Sequence, residues 1–199
     1  KDAVSMLVSL GIIEGKPDGS YAPTENVDRA QMAKMLSVIM NKGVDNSALY
    51  QSVNSGLVDV NTNWAKGHIN YCYTTGIIAG RGNGKFDPSA TVTALEAAKM
   101  LLVAVGYDPA IEGFEGADWA INVSVRADEQ GIFEGFTKDL SAPLNRDDAA
   151  LLIYNALDVE MIQSYTTNNY PIVYSDHRTI LSDKYGVIKV QGVVVANEW

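Results

Sequence analysis

The sequence predicts a mainly α-helical fold of three helix–loop–helix units packed on one another, followed by a short β-rich segment. Two observations carry this expectation: a glycine-centred phrase recurs three times, and after each copy the apolar residues return at helical spacing. Gly11, Gly15, Gly19, Tyr21, Pro23 and Val27 reappear 65 positions later as Gly76, Gly80, Gly84, Phe86, Pro88 and Val92. Trp64-Ala65 stands twelve residues before Gly76, and Trp119-Ala120 twelve before Gly131. Self-similarity at this period makes each copy one supersecondary unit that cannot bury its apolar face alone, so the copies must pack together.

In chain order, each unit opens with a short helix. Val4, Leu7 and Gly11, and equally Ile69, Cys72 and Gly76, place apolar residues on one face and a glycine just past the end. Trp64 and Trp119 stand at the start of this helix in their units. A Gly-rich loop follows, in which Asp18-Gly19 and Asn83-Gly84 are turn dipeptides. The second helix is longer. Met32, Met35, Leu36, Ile39 and Met40 repeat as Ala97, Met100, Leu101, Ala104 and Val105, then as Ala149, Leu152, Ile153, Ala156 and Leu157, the i, i+3, i+4, i+7 stripe of an amphipathic helix.

Asp28, Thr93 and Asn145 are N-caps for these helices, with Gln31, Glu96 and Asp148 three residues on to return the hydrogen bond. Val27, Val92 and Leu144 precede the caps as the apolar half of a staple. The third copy keeps Gly131 and Gly135 but loses three loop residues: Gly11 to Arg29 and Gly76 to Ala94 span 18 positions, Gly131 to Arg146 only 15. Lys1 aligns with Lys66, so the first copy is expected to lack its Trp-Ala, as in an N-terminally truncated or processed chain. The expected division is 1–44, 45–108 and 109–160 for the three units, with 161–199 a linker and β-strand segment.

In that last segment Tyr165 to Tyr170 form a polar joint. Ile172-Val173-Tyr174, Thr179-Ile180-Leu181 and Val187 to Ala196 are then β-branched runs cut by turn residues. They predict strands that open a further domain, too few for an independent sheet and therefore continued in the parent protein or paired with a neighbour.

The run from Gly11 to Pro23 with Val27-Asp28-Arg29-Ala30-Gln31, and Leu57-Val58-Asp59-Val60 with Trp64-Ala65 and Gly76-Ile77-Ile78-Ala79-Gly80, resembles the S-layer homology (SLH) repeat. The resemblance covers residues 1 to about 160, as three tandem copies. It implies a pseudo-trimer of intertwined repeats around a central helical bundle. It also implies inter-repeat grooves that hold a cell-wall polysaccharide, often carrying pyruvate ketals, and an extracellular location at the bacterial cell surface. The family's signature at the second helix is Thr-Arg-Ala-Glu; here it reads Asp-Arg-Ala-Gln from Asp28, Thr-Ala-Leu-Glu from Thr93 and Asn-Arg-Asp-Asp from Asn145.

Capping alone accounts for the first and fourth signature positions. The arginine is different, because a cation at the first helical position opposes the helix dipole. An anionic ligand supplies a reason for Arg29 and Arg146: helix N-terminal amides attract a carboxylate, and a guanidinium beside them grips it with two hydrogen bonds. Ala94 replaces the arginine in the middle copy, which predicts a weak, altered or empty site there. With the family's saccharide groove, the candidate carbohydrate-binding residues are Asp18, Gly19, Asp28, Arg29, Trp64, Asn83, Gly84, Lys85, Trp119 and Arg146. The two tryptophans are expected to be mainly core, with one exposed edge.

Composition narrows the classes further. Net charge of -9 argues against nucleic acid, which needs a basic face, and an anionic glycan must then be held by local cations such as Arg29, Arg146, Lys16, Arg81 and Lys85. The single cysteine, Cys72, excludes an internal disulfide and falls on an apolar stripe, as a buried thiol does. No run of 18 apolar residues predicts a membrane span. Enzymatic readings fare poorly: His68 and His177 stand apart, no His-x-x-x-His or Cys-x-x-Cys occurs, and Asp147-Asp148 are ordinary dipole partners at a helix start. A calcium loop at Asp18-Gly19 or Asn83 to Asp87 lacks the acidic ladder. Two functions remain: a non-catalytic anchor on an anionic wall polysaccharide, or a structural subunit that self-assembles into a lattice or filament. Neither needs a cofactor or metal.

Overall fold

The computed structural model describes residues 2–189. It is mainly helical, with α1 (Asp2–Ser9), α2 (Arg29–Met40), α3 (Lys66–Thr74), α4 (Ala94–Val105), α5 (Trp119–Glu129), α6 (Arg146–Ala156) and α7 (Ile180–Tyr185), and one antiparallel hairpin, β1 (Ile162–Tyr165) with β2 (Pro171–Val173). A 3₁₀ turn, Ser47–Tyr50, lies against α3. There Gly67 is indispensable, since a Cβ on it would stand 2.1 Å from the Ser47 carbonyl oxygen.

The local signals act as the residues dictate. Asp28 and Thr93 close full capping boxes with Gln31 and Glu96. Asn145 accepts from the Asp148 amide, but Asp148 does not return the bond, because its short carboxylate is taken by Lys138. The short helices end as expected at Gly11, Gly76 and Gly131, each with positive φ, after which Ile12, Ile77 and Ile132 donate back to Leu7, Cys72 and Ala127. The helix after Trp64 starts two residues later than its counterpart after Trp119.

The three staple residues are joined in a closed ring of main-chain hydrogen bonds. Val27 donates to Leu144 (2.9 Å), Leu144 to Val92 (2.7 Å) and Val92 to Val27 (3.0 Å), and all three side chains are buried. The helix starts around this ring are stitched in the same cyclic order. The amides of Arg29 and Ala30 donate to Ala90 and Pro88, those of Arg146 and Asp147 to Glu25 and Pro23, and that of Leu95 to Leu140. Each loop thus satisfies the orphan amides of a helix from another repeat. One core runs through all of it, from Leu7 and Leu36 through Ile69, Phe86 and Leu101 to Phe114, Leu144 and Ile153.

The described part of 161–199, the segment expected to open another domain, covers the opposite ends of the long helices. Tyr185 donates to the Ile39 carbonyl at the end of α2, the Leu181 amide donates to Leu157 after α6, and the chain at Ile162 sits against Gly106 after α4. Three details differ from expectation. The hairpin forms between 162–165 and 171–173, so part of the polar joint is its first strand. Thr179-Ile180-Leu181 is helical: Thr179 caps α7 in a capping box with Ser182, Gly186 ends it in the left-handed region, and Ile180 and Leu181 are buried. Val187–Lys189 form no strand, and Val190 to Ala196 of the third expected strand lie outside the described residues.

Candidate functional site

The site begins from the loops and the first residues of the long helices. Arg29 is only 4% exposed, yet its guanidinium does not point at its own helix. It crosses into the second repeat, where Nε donates to the Phe86 carbonyl (2.8 Å), Nη2 donates to the Ala79 carbonyl (2.8 Å), and the plane lies over the Phe86 ring at 4.3 Å. Arg146 does the same in the first repeat. Its Nε donates to Tyr21 (2.7 Å), its Nη2 to Glu14 (2.9 Å), and its guanidinium stands 5.0 Å over the Tyr21 ring. Tyr21 Oη donates in return to the Arg146 carbonyl. Apart from that hydroxyl bond, the contacted residues correspond at the 65-position repeat, Tyr21 to Phe86 and Glu14 to Ala79.

Two grooves form beside these arginines. The first, of about 180 Å³, is lined by Ile12, Ile13, Glu14, Gly15, Tyr21, Val27, Gln31, Lys34, Met35, Trp64 and Arg146. The second, of about 390 Å³, is lined by Arg29, Ile77, Ala79, Gly80, Arg81, Glu96, Lys99, Met100, Phe114, Glu115, Gly116 and Trp119. Ile12 and Ile77, Gly15 and Gly80, Gln31 and Glu96, Lys34 and Lys99, Met35 and Met100, Trp64 and Trp119, and Arg146 and Arg29 are equivalent pairs. Each groove therefore draws its loop and helix face from one repeat, its arginine from a second and its tryptophan from a third.

Four of the ten sequence-predicted residues meet in these grooves, Arg146 with Trp64 and Arg29 with Trp119. Asp18, Gly19, Asn83, Gly84 and Lys85 are exposed at the loop tips and line neither. Asp28 lines neither, because its carboxylate is spent on the Gln31 amide (2.7 Å). Trp64 is 58% exposed, so it is no core anchor, whereas Trp119 is half-buried as expected. The helix amides expected to attract a carboxylate are already occupied by loop carbonyls, so the guanidinium and not the helix terminus faces the groove. The weak site expected on the middle repeat is displaced too. The groove there is the larger of the two and takes its arginine from Arg29, and the residue missing at Ala94 is missing from the joint with the third repeat.

That third joint is built differently. Counting back from the staple residues Val27, Val92 and Leu144, the position of Tyr21 and Phe86 is taken by Lys138, which pairs with Asp148, the counterpart of Gln31 and Glu96. Ala94 is fully buried where the other joints hold arginine.

Sequence reasoning missed Lys34, Lys99 and Glu14. Lys99 Nζ donates to the Phe114 carbonyl (2.5 Å) and stands 5.7 Å from the Trp119 ring; burial lowers its pKa. Lys34 pairs with Glu14 at 3.1 Å. Their signal was present: a lysine sits three residues after Gln31 and after Glu96, on the edge of the apolar stripe. In the second groove Arg81 pairs with Glu96 (2.8 Å), whereas its counterpart Lys16 turns to Glu25 (2.6 Å). Burial, followed by the Arg81 guanidinium, holds the Arg29 pKa down to about 10, which leaves it charged at neutral pH.

Cys72 is a buried thiol whose pKa burial raises, and its Sγ faces the Ala33 carbonyl. Among the described residues no group of three metal-ligating side chains occurs, and no helix is long and apolar enough to cross a membrane.

Comparison with known proteins matches the first two copies of the repeat signature. Residues 1–33 and 58–98 match the model of the S-layer homology domain. A cell surface protein of Thermoanaerobacter kivui is 32% identical over 162 residues, 81% of this chain and 20% of that protein. An S-layer protein of Bacillus licheniformis is 32% identical over 113 residues, 57% of this chain and 12% of its own length. A middle cell wall protein of Brevibacillus brevis is 28% identical over 161 residues, 80% of this chain and 15% of that protein. The chain thus spans about a fifth or less of the length of these relatives, whose names place them at the bacterial surface.

Proposed function

We propose that the chain is a non-catalytic anchoring module of a bacterial surface protein, holding an anionic, pyruvylated wall polysaccharide in the grooves beside Arg29 and Arg146. One observation carries this. Arg81, Arg126 and Arg178 each pair with a carboxylate, but Arg29 and Arg146 have none within salt-bridge distance among the described residues, although the chain carries 24 acids. A half-buried or buried cation fixed by two carbonyls and an aromatic face, with its remaining N–H groups toward a groove, is preorganised for an incoming carboxylate. The tryptophan on the opposite wall supplies an apolar face for a sugar ring, and Lys34 or Lys99 a second charge. The matched surface proteins support the location.

The ring of three hydrogen bonds supports reading 1–44, 45–108 and 109–160 as three intertwined repeats in a pseudo-trimer, with the described part of 161–199 attached beneath them. A second reading, assembly into a surface lattice, is favoured by the S-layer protein among the relatives and by the exposed Ile172 on β2.

Sedimentation with purified wall polysaccharide, with and without its pyruvate groups, tests the proposal. Arg146→Ala with Lys99→Ala, circular dichroism unchanged, should lose binding to the pyruvylated polymer. Undiminished binding overturns it. Self-association that persists without polymer supports lattice assembly.

A further inference from the structure

The two grooves are built on one plan, and beside the guanidinium they differ at one wall position. Glu14 and Ala79 are equivalents, and the main-chain carbonyl of each accepts from an arginine Nη2, at 2.9 and 2.8 Å. Their side chains therefore stand at the same place beside the guanidinium. In the second groove that side chain is a methyl; in the first it is a carboxylate, 72% exposed, whose Oε2 lies 3.1 Å from Lys34 Nζ.

Lys34 is the groove's second cation, so Glu14 occupies the partner an acidic ligand would use. Lys99, its counterpart, donates only to a main-chain carbonyl and has no carboxylate partner among the described residues. An ion pair this exposed is weak, because water screens it and two side chains must be held to keep it. It can be displaced, but a ligand carboxylate entering the first groove meets a like charge at this position, whereas the carboxylates of the second groove, Glu115 and the Arg81-paired Glu96, stand elsewhere on its wall.

From this difference we infer that Glu14 is a specificity-determining residue: a resident carboxylate that occupies Lys34 and weakens the first groove for an acidic saccharide. The inference rests on the reading that the grooves take an acidic glycan.

Fluorine NMR of 5-fluorotryptophan-labelled protein follows both grooves in one titration, with the Trp64 and Trp119 resonances assigned by Trp64→Phe and Trp119→Phe. The probe is the 4,6-pyruvate ketal of methyl glucoside, and methyl glucoside is its uncharged control. Glu14→Ala and Glu14→Gln should each lower the Trp64 midpoint by about two- to fivefold at low salt and less at high salt, as expected for an exposed charge. Ala79→Glu should raise the Trp119 midpoint by a similar factor. The control should respond to none of these changes.

A Trp64 midpoint that stays or rises in both Glu14 variants, while the resonance still responds to the ketal, overturns the role of Glu14 and leaves the anchoring proposal standing. If neither resonance responds to the ketal in any variant, the acidic-glycan reading fails and this inference fails with it.

Discussion

The joint between the first and second repeats and the joint between the second and third close the same ring with opposite chemistry. At the first, Arg29 reaches across to two carbonyls and the Phe86 ring; at the second, Ala94 is buried and Lys138 stands where the ring would be. Both joints keep their main-chain bonds, with Leu144 to Val92 the shortest of the three. A buried guanidinium is therefore not needed to hold repeats together. Since taking a charge out of water is costly and the alanine joint also keeps its bond of the ring, what Arg29 adds has to be sought in the groove it lines.

The sharpest way to break this comparison is to make the joints alike. Ala94→Arg should destabilise the protein by roughly 3 kcal/mol or more, because a charge would enter a fully buried position in a joint whose sequence offers Lys138 in place of the aromatic residue. Denaturant unfolding measures it. A near-neutral result with a new anion site would mean that the third joint can be converted into a groove by one residue.

Removing the arginines comes next. Arg29→Ala strips donors from two carbonyls and leaves a void, at a cost of about 2–4 kcal/mol, whereas the half-exposed Arg146→Ala should cost about 1–2 kcal/mol since water can replace it. Equal losses in urea midpoints would deny that the two joints differ in burial.

A smaller effect separates α3 from α5 by pH. His68 is buried, with Nδ1 2.6 Å from Ser37 Oγ and Nε2 3.6 Å from Asp45, and its ring meets Trp64 edge-on. Its counterpart, four residues after the other tryptophan, is Val123. Burial lowers the His68 pKa from 6.5; Asp45 opposes the shift and Lys34 adds to it. The folded protein then binds this proton less tightly than the unfolded chain, so the stability contribution is complete above about 6.5 and is lost as the pH falls through the folded value. His68→Val should flatten the profile of unfolding free energy between pH 7.5 and 5, and a native profile already flat there would remove His68 from the account.

Much of this was legible because it is local. Capping residues, glycine ends and apolar stripes act within four residues of one another, and Asp28 with Gln31 or Thr93 with Glu96 can be read in a line of text. The grooves were not, because their walls meet across distances such as Arg146 to Tyr21 or Arg29 to Ala79. Arg29 was recognised as needing a partner, but the partner turned out to be a neighbouring loop, which no helix-dipole argument about its own helix can supply. Thr179 to Leu181 misled for a related reason: β-branched residues favour strands only weakly, and here a cap at Thr179 and burial of Ile180 and Leu181 decide for a helix.

The smallest expected effect tests whether the loop tips belong to the site. Lys85 was a candidate for its charge, but its main chain is what the loop uses: Arg81 donates to its carbonyl at 2.7 Å, its own amide donates to Gly82, and a Cβ on Gly80 would come within 2.8 Å of that carbonyl. Its exposed ammonium lines neither groove. Lys85→Ala should then change stability by no more than about 0.5 kcal/mol and affinity for the pyruvylated polymer less than twofold. Lys99→Ala, which removes a cation from the groove wall, should weaken binding much more. The two variants change net charge equally, so long-range attraction through screening salt would predict equal losses, and only contact inside the groove predicts a gap between them. Matching losses in sedimentation at 0.15 M salt would mean that the acidic polymer is held by the field of the loops and not by the grooves.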